Sequence, residues 1–528
     1  MLDPKKDLWI QRLAAKLQAL FLHPDALLVI GAAGLSRLGF QPQGWFWASM
    51  AGFALWLAVL HRCTVKRALW LGYLFGLFHF SLSFTWLIES LSTNSGAPWI
   101  AGVLGVVGLA AVVAIYPMLV AGALAWLRPR AVMLPIVVAT LWVCAEWLRG
   151  YLFTGFPWNQ SGMIWMNWAS LIQVADLGGI YLLSFLALLM AGVIRVVFDP
   201  TLSARLRTRW LVVMSVVLTA GHLYGEAQLQ ISADEKQYRI ALVQGGVPQL
   251  NKWDKARHEE HLERYLDLTM EAAGQAVDLV VWPETALAYF LQSYPARWDR
   301  MANVLRTLEV PLLFGVPHAV KGKSHRYRYY NALALFNQKG DWIKTYHKHH
   351  LVPFGEYVPL RGWLPDSIAK LTAGKEDFSM GVGPQAIPTS LGVLGPLVCY
   401  EVIFPAEVRQ LANQGVELLI NATNDAWFGH SAKTQHLQMA RLRAIENRLP
   451  LVRVANTGIS ASFDAYGRTV GTLPSNQPAM AIHTVNHAPK GGSFYRRWGA
   501  WELWFWSGLL MLSILAVQWG RWRRSHSG

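Results

Sequence analysis

Long apolar runs dominate the first 225 positions, with polar residues gathered into short breaks between them. Seven runs occupy about 26–40, 44–60, 68–88, 98–127, 131–148, 171–194 and 210–225, and an eighth lies at about 503–519. A membrane-crossing helix needs about 20 mostly apolar residues, and residues 98–127 carry no charge at all. The pattern predicts about eight transmembrane helices. The first run is short and contains Arg37, which also suits a helix lying in the interface.

Between about 238 and 488 the pattern changes to short β-rich runs alternating with polar, helix-compatible stretches. Strands are predicted at Tyr238–Gln244, Leu279–Trp282, Pro311–Val316, Asn331–Phe336, Val393–Cys399, Leu418–Asn421 and Leu451–Ala455. Helices are predicted at Lys255–Ala272, Ala296–Leu308, Pro405–Asn413 and Gln435–Asn447, and a hairpin turn at Asp464-Ala-Tyr-Gly467. Such alternation predicts a layered α/β domain. The chain divides into a membrane domain (1–225), an α/β domain (226–490) and a last helix with a basic tail (491–528).

Composition agrees with this division: 53% of the 528 residues are hydrophobic and only 15% charged, the balance of a membrane protein. The 26 tryptophans suit interface belts or an apolar binding site. Net charge is +15, of which residues 226–490 hold +3 and the remainder +12. The excess therefore follows the hydrophobic segments, which speaks for membrane orientation and against nucleic acid. Lys5, Lys6, Arg12 and Lys16 precede the first run; Arg62, Lys66 and Arg67, then Arg128 and Arg130, then Arg195, Arg205, Arg207 and Arg209 fill alternate breaks; Arg521, Arg523 and Arg524 close the chain. The intervening breaks Gln41–Gly44 and Glu89–Ala97 lack Lys and Arg, and the break after the fifth run has only Arg149. The positive-inside rule then places both termini in the cytoplasm and residues 226–502 outside it. The charged, then apolar, N-terminus lacks a small-residue cleavage site and reads as a retained anchor.

Three cysteines at wide spacing, Cys63, Cys144 and Cys399, give no disulfide framework. Cys63 and Cys144 read as small hydrophobes. Cys399 ends an apolar run at Leu397-Val-Cys-Tyr-Glu401, with Glu284 in Trp-Pro-Glu-Thr and Lys348 and Glu356 in Lys-His-His-Leu-Val-Pro-Phe-Gly-Glu upstream. A thiol becomes nucleophilic as a carboxylate takes its proton, and a fixed cation steadies the resulting oxyanion. His347, His349 and His350 flank Lys348 but lack a Cys or carboxylate at ligand spacing, so no metal is expected. Arg441 and Arg443 suit a solvated helix face or lipid phosphates. Glu146 and Asp176 suit a pairing with Arg149 or loop capping.

At these residues the chain resembles the carbon-nitrogen hydrolase (nitrilase) superfamily. Val243-Gln-Gly, Trp253, Pro353-Phe-Gly-Glu-Tyr-Val-Pro and Asn424-Asp-Ala-Trp-Phe-Gly, together with the flanking helices, are similar to bacterial apolipoprotein N-acyltransferases. The resemblance implies an αββα sandwich and transfer of an acyl chain from a phosphatidylethanolamine-like phospholipid, through a cysteine thioester, to the α-amine of an S-diacylglyceryl cysteine. It implies Cys399 as nucleophile, Glu284 as general base and Lys348 as oxyanion stabiliser, with Glu356, Tyr400 and Glu401 in support. Trp253, Trp158 and Trp427 are candidate substrate contacts, although Trp158 in Gly-Phe-Pro-Trp also suits an interface anchor. It further implies a bacterial inner-membrane location, a periplasmic catalytic domain, a monomer and no cofactor. Gly246 stands where the family pattern has Asn. A membrane-tethered amidohydrolase acting on a small carbon-nitrogen substrate shares the triad; a transporter with an external domain, or an inactive partner subunit, does not explain it.

Overall fold

The computed structural model describes residues 23–92, 98–231, 236–322, 326–359, 377–489 and 491–526. All eight apolar runs are helical. The first seven give α1 (Pro24–Arg37), α2 (Phe46–Leu60), α3 and α4 (Val65–Ser83, Trp86–Ser92), α5 and α6 (Trp99–Val113, Ile115–Leu127), α7 (Leu134–Tyr151), α8 (Ala175–Val197) and α9 (Ala204–Leu229). Among the described residues, five helical stretches, Phe494–Gly520 included, are long and apolar enough to cross a membrane, and α3 with α4 makes a sixth if that pair is one span. The 68–88 run is bent by 59° between α3 and α4. With 14 and 15 residues, α1 and α2 reach only about 21–23 Å, short of a ~30 Å hydrocarbon core. Lys5, Lys6, Arg12 and Lys16, and the stretch 93–97 of the break Glu89–Ala97, lie outside the described residues.

Residues 237–486 form two six-stranded sheets. Strands β1 (Gln237–Gln244), β2 (Leu279–Val281), β3 (Leu312–Lys321), β4 (Tyr327–Phe336) and β5 (Trp342–His347) are followed by β6 (Ile387–Thr389), β7 (Gly392–Val398), β8 (Leu418–Thr423), β9 (Leu451–Ala455), β10 (Ala461–Phe463), β11 (Thr469–Thr472) and β12 (Ala479–Asn486). The sheet orders are β12-β1-β2-β3-β4-β5 and β11-β10-β9-β8-β7-β6. Parallel pairing joins β1, β2 and β3 in one sheet and β7, β8 and β9 in the other, with antiparallel strands outside them. The parallel strands are the uniformly apolar runs that the sequence marks, as burial on both faces requires. The strands it does not mark are antiparallel: β6 has three residues, β11 is mostly exposed, and β5 carries Lys344 and Thr345 on an outer position.

Ile240, Leu242, Val281, Leu313, Val398, Ile420 and Val452 fill the space between the sheets. Helices α10 (His258–Met270) and α11 (Pro295–Leu308) cover the first sheet through Tyr265, Leu305 and Phe314. Helices α12 (Pro405–Ala412) and α13 (His430–Asn447) cover the second. The layers are therefore αββα.

The outer face of that last layer does not meet solvent. Val408, Leu411, Met439 and Leu442 belong to one apolar cluster with Trp158, Leu183 and Ala187 of the membrane domain. Buried polar contacts fix the join. Arg448 Nη2 donates to Asp176 Oδ2 (2.8 Å), which Tyr224 also reaches, and Glu446 Oε1 accepts from Ile180 N (2.8 Å). That amide is free because Gly178 and Gly179 interrupt α8, Gly179 with φ +62°. Arg443 is buried against Glu446, and Arg441 donates to the carbonyls of Gly467 and Met166, so neither lies on a solvated face. Glu146 caps a loop by accepting from Ser161 N at 2.7 Å. The final helix is α14 (Glu502–His526), which packs on α7.

Candidate active site

Each candidate residue stands just past the end of a strand, where α/β sheets build their sites. Glu284 follows β2, Lys348 follows β5 and Cys399 follows β7. All three side chains are buried. Cys399 has φ +49° and Thr285, beside Glu284, has φ +48°. Left-handed backbone at a non-glycine residue costs about 1–3 kcal/mol, and here it falls beside two of the three candidates.

Lys348 Nζ lies 2.9 Å from Glu356 Oε2 and 3.5 Å from Glu284 Oε1. Asn331 Nδ2, from β4, donates to both carboxylates at 2.7 Å. Glu284 Oε2 accepts from Asn424 N (2.8 Å), and Glu356 Oε2 from Val352 N (2.8 Å). Burial opposes the ammonium charge of Lys348, but Glu356 and Glu284 overcome it and raise its pKa above the usual lysine range. Lys348 is thus a permanent cation. Burial raises the pKa of the Cys399 thiol strongly, Glu284 adds to the rise and Lys348 opposes it. The resting residue is a thiol, which would need a base to become a nucleophile.

Glu401 accepts from Val398 N (2.6 Å), Tyr346 OH (2.8 Å) and His349 N (2.6 Å). It ties the Cys399 turn to the Lys348 segment. Tyr400 OH donates to Gly155 O (3.4 Å), linking the same turn to the loop after α7. Trp158 is 1% exposed and does not anchor an interface: its Nε1 donates to Gln435 Oε1 (2.7 Å), and its ring meets Trp86 at 4.8 Å and His436 at 5.8 Å. Trp86, Trp158, Phe156 and Phe428 make an apolar wall beside that turn. Trp427 is half-buried, and its carbonyl accepts from Ser90 of α4. Trp253 is half-buried in the loop after β1, away from this wall in sequence.

Sequence reasoning missed a buried polar set behind the thiol. Cys399 Sγ, Asp425 and His436 have donor atoms within 4.8 Å of one another. Arg453 supplies the charge there, with Nη2 2.5 Å from Asp425 Oδ2 and 3.1 Å from His436 Nδ1. His436 Nδ1 therefore accepts and Nε2–H donates to Cys399 O at 3.2 Å. Burial opposes the Asp425 charge, but Arg453 holds its pKa below the ordinary range. A guanidinium already fills the place a cation would take. His347, His349 and His350 face three different partners: His318, Gly381 O and Glu407. Asn331 and Lys252 were also missed; the only signal for Asn331 is a polar residue opening an apolar strand. Gly246 has φ +62°, and a Cβ there would lie 2.6 Å from Pro478 N, so the close approach explains the glycine.

Residues 239–488 match the family model for carbon-nitrogen hydrolases, and residues 32–193 that for the apolipoprotein N-acyltransferase N-terminal domain. The chain is similar to the apolipoprotein N-acyltransferase of Geobacter metallireducens, with 36% identity over 93% of this chain and 95% of that protein. It is 31% identical to the enzyme of that name from Vibrio parahaemolyticus, over 94% of this chain and 97% of the relative. A solved carbon-nitrogen hydrolase from Helicobacter pylori G27 aligns with 51% of this chain and 94% of its own, at 18% identity and TM-score 0.37.

Proposed function

The chain belongs to the apolipoprotein N-acyltransferase family, and from that membership we propose that Cys399, Glu284 and Lys348 carry its acyl transfer. It is a membrane acyltransferase that acts on lipoproteins. The donor is a phospholipid such as phosphatidylethanolamine. Glu284 takes the Cys399 proton as Sγ attacks the ester carbonyl. Lys348 faces the tetrahedral oxyanion. Collapse breaks the ester C–O bond, Glu284 returns the proton to the departing lysophospholipid oxygen, and a thioester remains. The α-amine of the diacylglyceryl cysteine then attacks the thioester. Glu284 takes a proton from the attacking amine and passes it to the leaving Cys399 sulfur, giving an amide and a free thiol. The amine must be neutral, and with a reference pKa of about 7.7–8.0 a useful fraction is.

Glu356 and Asn331 position Lys348 and Glu284; Glu401 and Tyr400 hold the nucleophile's turn. Trp158 and Phe428 supply an apolar wall for an acyl chain, which disfavours water as the competing nucleophile. Trp253, in the loop after β1, and Trp427, beside Phe428, are substrate contacts. Residues 1–225 form the membrane domain, 226–490 the catalytic domain and 491–528 the closing helix and tail. The protein works as a monomer in a bacterial inner membrane, with both termini cytoplasmic and the catalytic domain periplasmic.

The observation that carries this reading is the buried Glu284–Lys348–Glu356 set, bridged by Asn331, in the electrostatic field of one strand-end thiol. The test is transfer from phosphatidylethanolamine to a diacylglyceryl cysteine peptide. Cys399→Ala should abolish the N-acylated product while the chain still inserts. Residual transfer by this variant would sink the assignment. Release of ammonia from small amides, without transfer to the peptide, would favour the amidohydrolase instead.

A further inference from the structure

Lys252 ends the short helical turn Gln249–Lys252, next to Trp253, and plays no part in the steps above. It is 2% exposed, and its Nζ donates to Glu284 O at 3.1 Å. An ammonium has three N–H donors. Among the described residues that carbonyl is its only hydrogen-bond partner, and no carboxylate lies within ion-pair distance. Its ammonium nevertheless sits in the field of Glu284 and Cys399.

Charge balance shows what it could do. Lys348 is one cation against two buried carboxylates, Glu356 and Glu284, which leaves one negative charge in excess. When the thiol proton moves to Glu284 and an oxyanion forms, that excess negative charge persists, now carried by Glu356 and the oxyanion around Lys348. A buried net negative charge is costly unless another cation is present. We propose that Lys252 is a second cation of the acyl-transfer centre, donating to the acyl carbonyl oxygen as it becomes an oxyanion at Cys399.

This rests on Cys399 being the nucleophile. Burial pushes the Lys252 pKa down to about 7, against the opposing effects of Glu284 and Cys399. Among the described residues, His261 on α10 is the further titratable group that feels its charge. The ammonium is therefore charged below about pH 7 and neutral above it.

The experiment is single-turnover acylation of the full chain by phosphatidylethanolamine in mixed micelles, read as acyl mass on Cys399 across pH. The wild-type rate should fall as pH rises through about 7, as the second cation loses its proton. Lys252→Met should slow acylation at least ~10-fold on the acid side and remove that falling limb. Lys252→Arg, which stays charged, should carry the fast rate to higher pH. Three results would each overturn the proposal: a wild-type rate without the fall, a Met variant as fast as wild type on the acid side, or a Met variant slowed equally at every pH. The last would mean that Lys252 only steadies the Glu284 backbone. No acyl mass on wild-type Cys399 would overturn the nucleophile assignment, and this proposal with it.

Discussion

Single residues set the site's electrostatics. Lys348 neutralises two buried carboxylates, so Lys348→Met leaves Glu284 and Glu356 facing each other unpaired. Removing one partner of a buried pair costs about 3–5 kcal/mol. Thermal denaturation in detergent should therefore show a large loss of stability, beyond the loss of activity; an unchanged Tm would contradict the ion-pair geometry. Gly246→Ala should destabilise by ~1–3 kcal/mol, since its φ of +62° and the contact with Pro478 leave no room for a Cβ. Glu284, Lys348 and Cys399 were legible because each lies in a short motif, and Glu284 and Cys399 also end recognisable apolar runs. Lys252 was not, because one lysine before Trp253 looks like any loop lysine until burial is known. Asp425, His436 and Arg453 escaped for the same reason: their meeting depends on β8, β9 and α13 converging, and no local spacing encodes that.

At the scale of elements, apolar runs predicted helices well, because burial in lipid or protein needs long uninterrupted stretches. The bend between α3 and α4 was not legible, nor was the docking of α4 on the catalytic loop through Ser90 and Trp427. Trp158 read as an interface anchor because sequence shows neighbours along the chain only; its partners Gln435 and His436 lie some 280 residues on. Strands β5, β6, β10, β11 and β12 were missed because antiparallel outer strands need no continuous apolar run. The join of α8 to α13 makes its own prediction. Asp176→Ala and Arg448→Ala should each cost several kcal/mol, and the double variant much less than their sum. Thermal melts forming a double-mutant cycle measure this, and strict additivity would count against the contact.

For the whole molecule, the fourth layer of the sandwich is also the floor of the membrane domain. Residues 237–489 produced alone would expose the face of α12 and α13 that now packs against α8 and Trp158. That fragment should self-associate without detergent and become monodisperse with it, as size-exclusion chromatography would show. A detergent-independent monomer would mean that the catalytic layer does not depend on its membrane partner. The same join brings the Cys399 turn to the loop after α7 through Tyr400, which suits the proposed transfer between two lipids held in one plane.

Cys399 is proposed to carry a fatty acyl group in transit from phospholipid to amine. The most direct measurement is peptide mass spectrometry of the full-length protein after incubation with phosphatidylethanolamine and no acceptor. The account predicts a hydroxylamine-labile acyl mass on the Cys399 peptide that disappears when a diacylglyceryl cysteine peptide is added. An unmodified Cys399 alongside acylated product, or an acyl group on another residue, would contradict it.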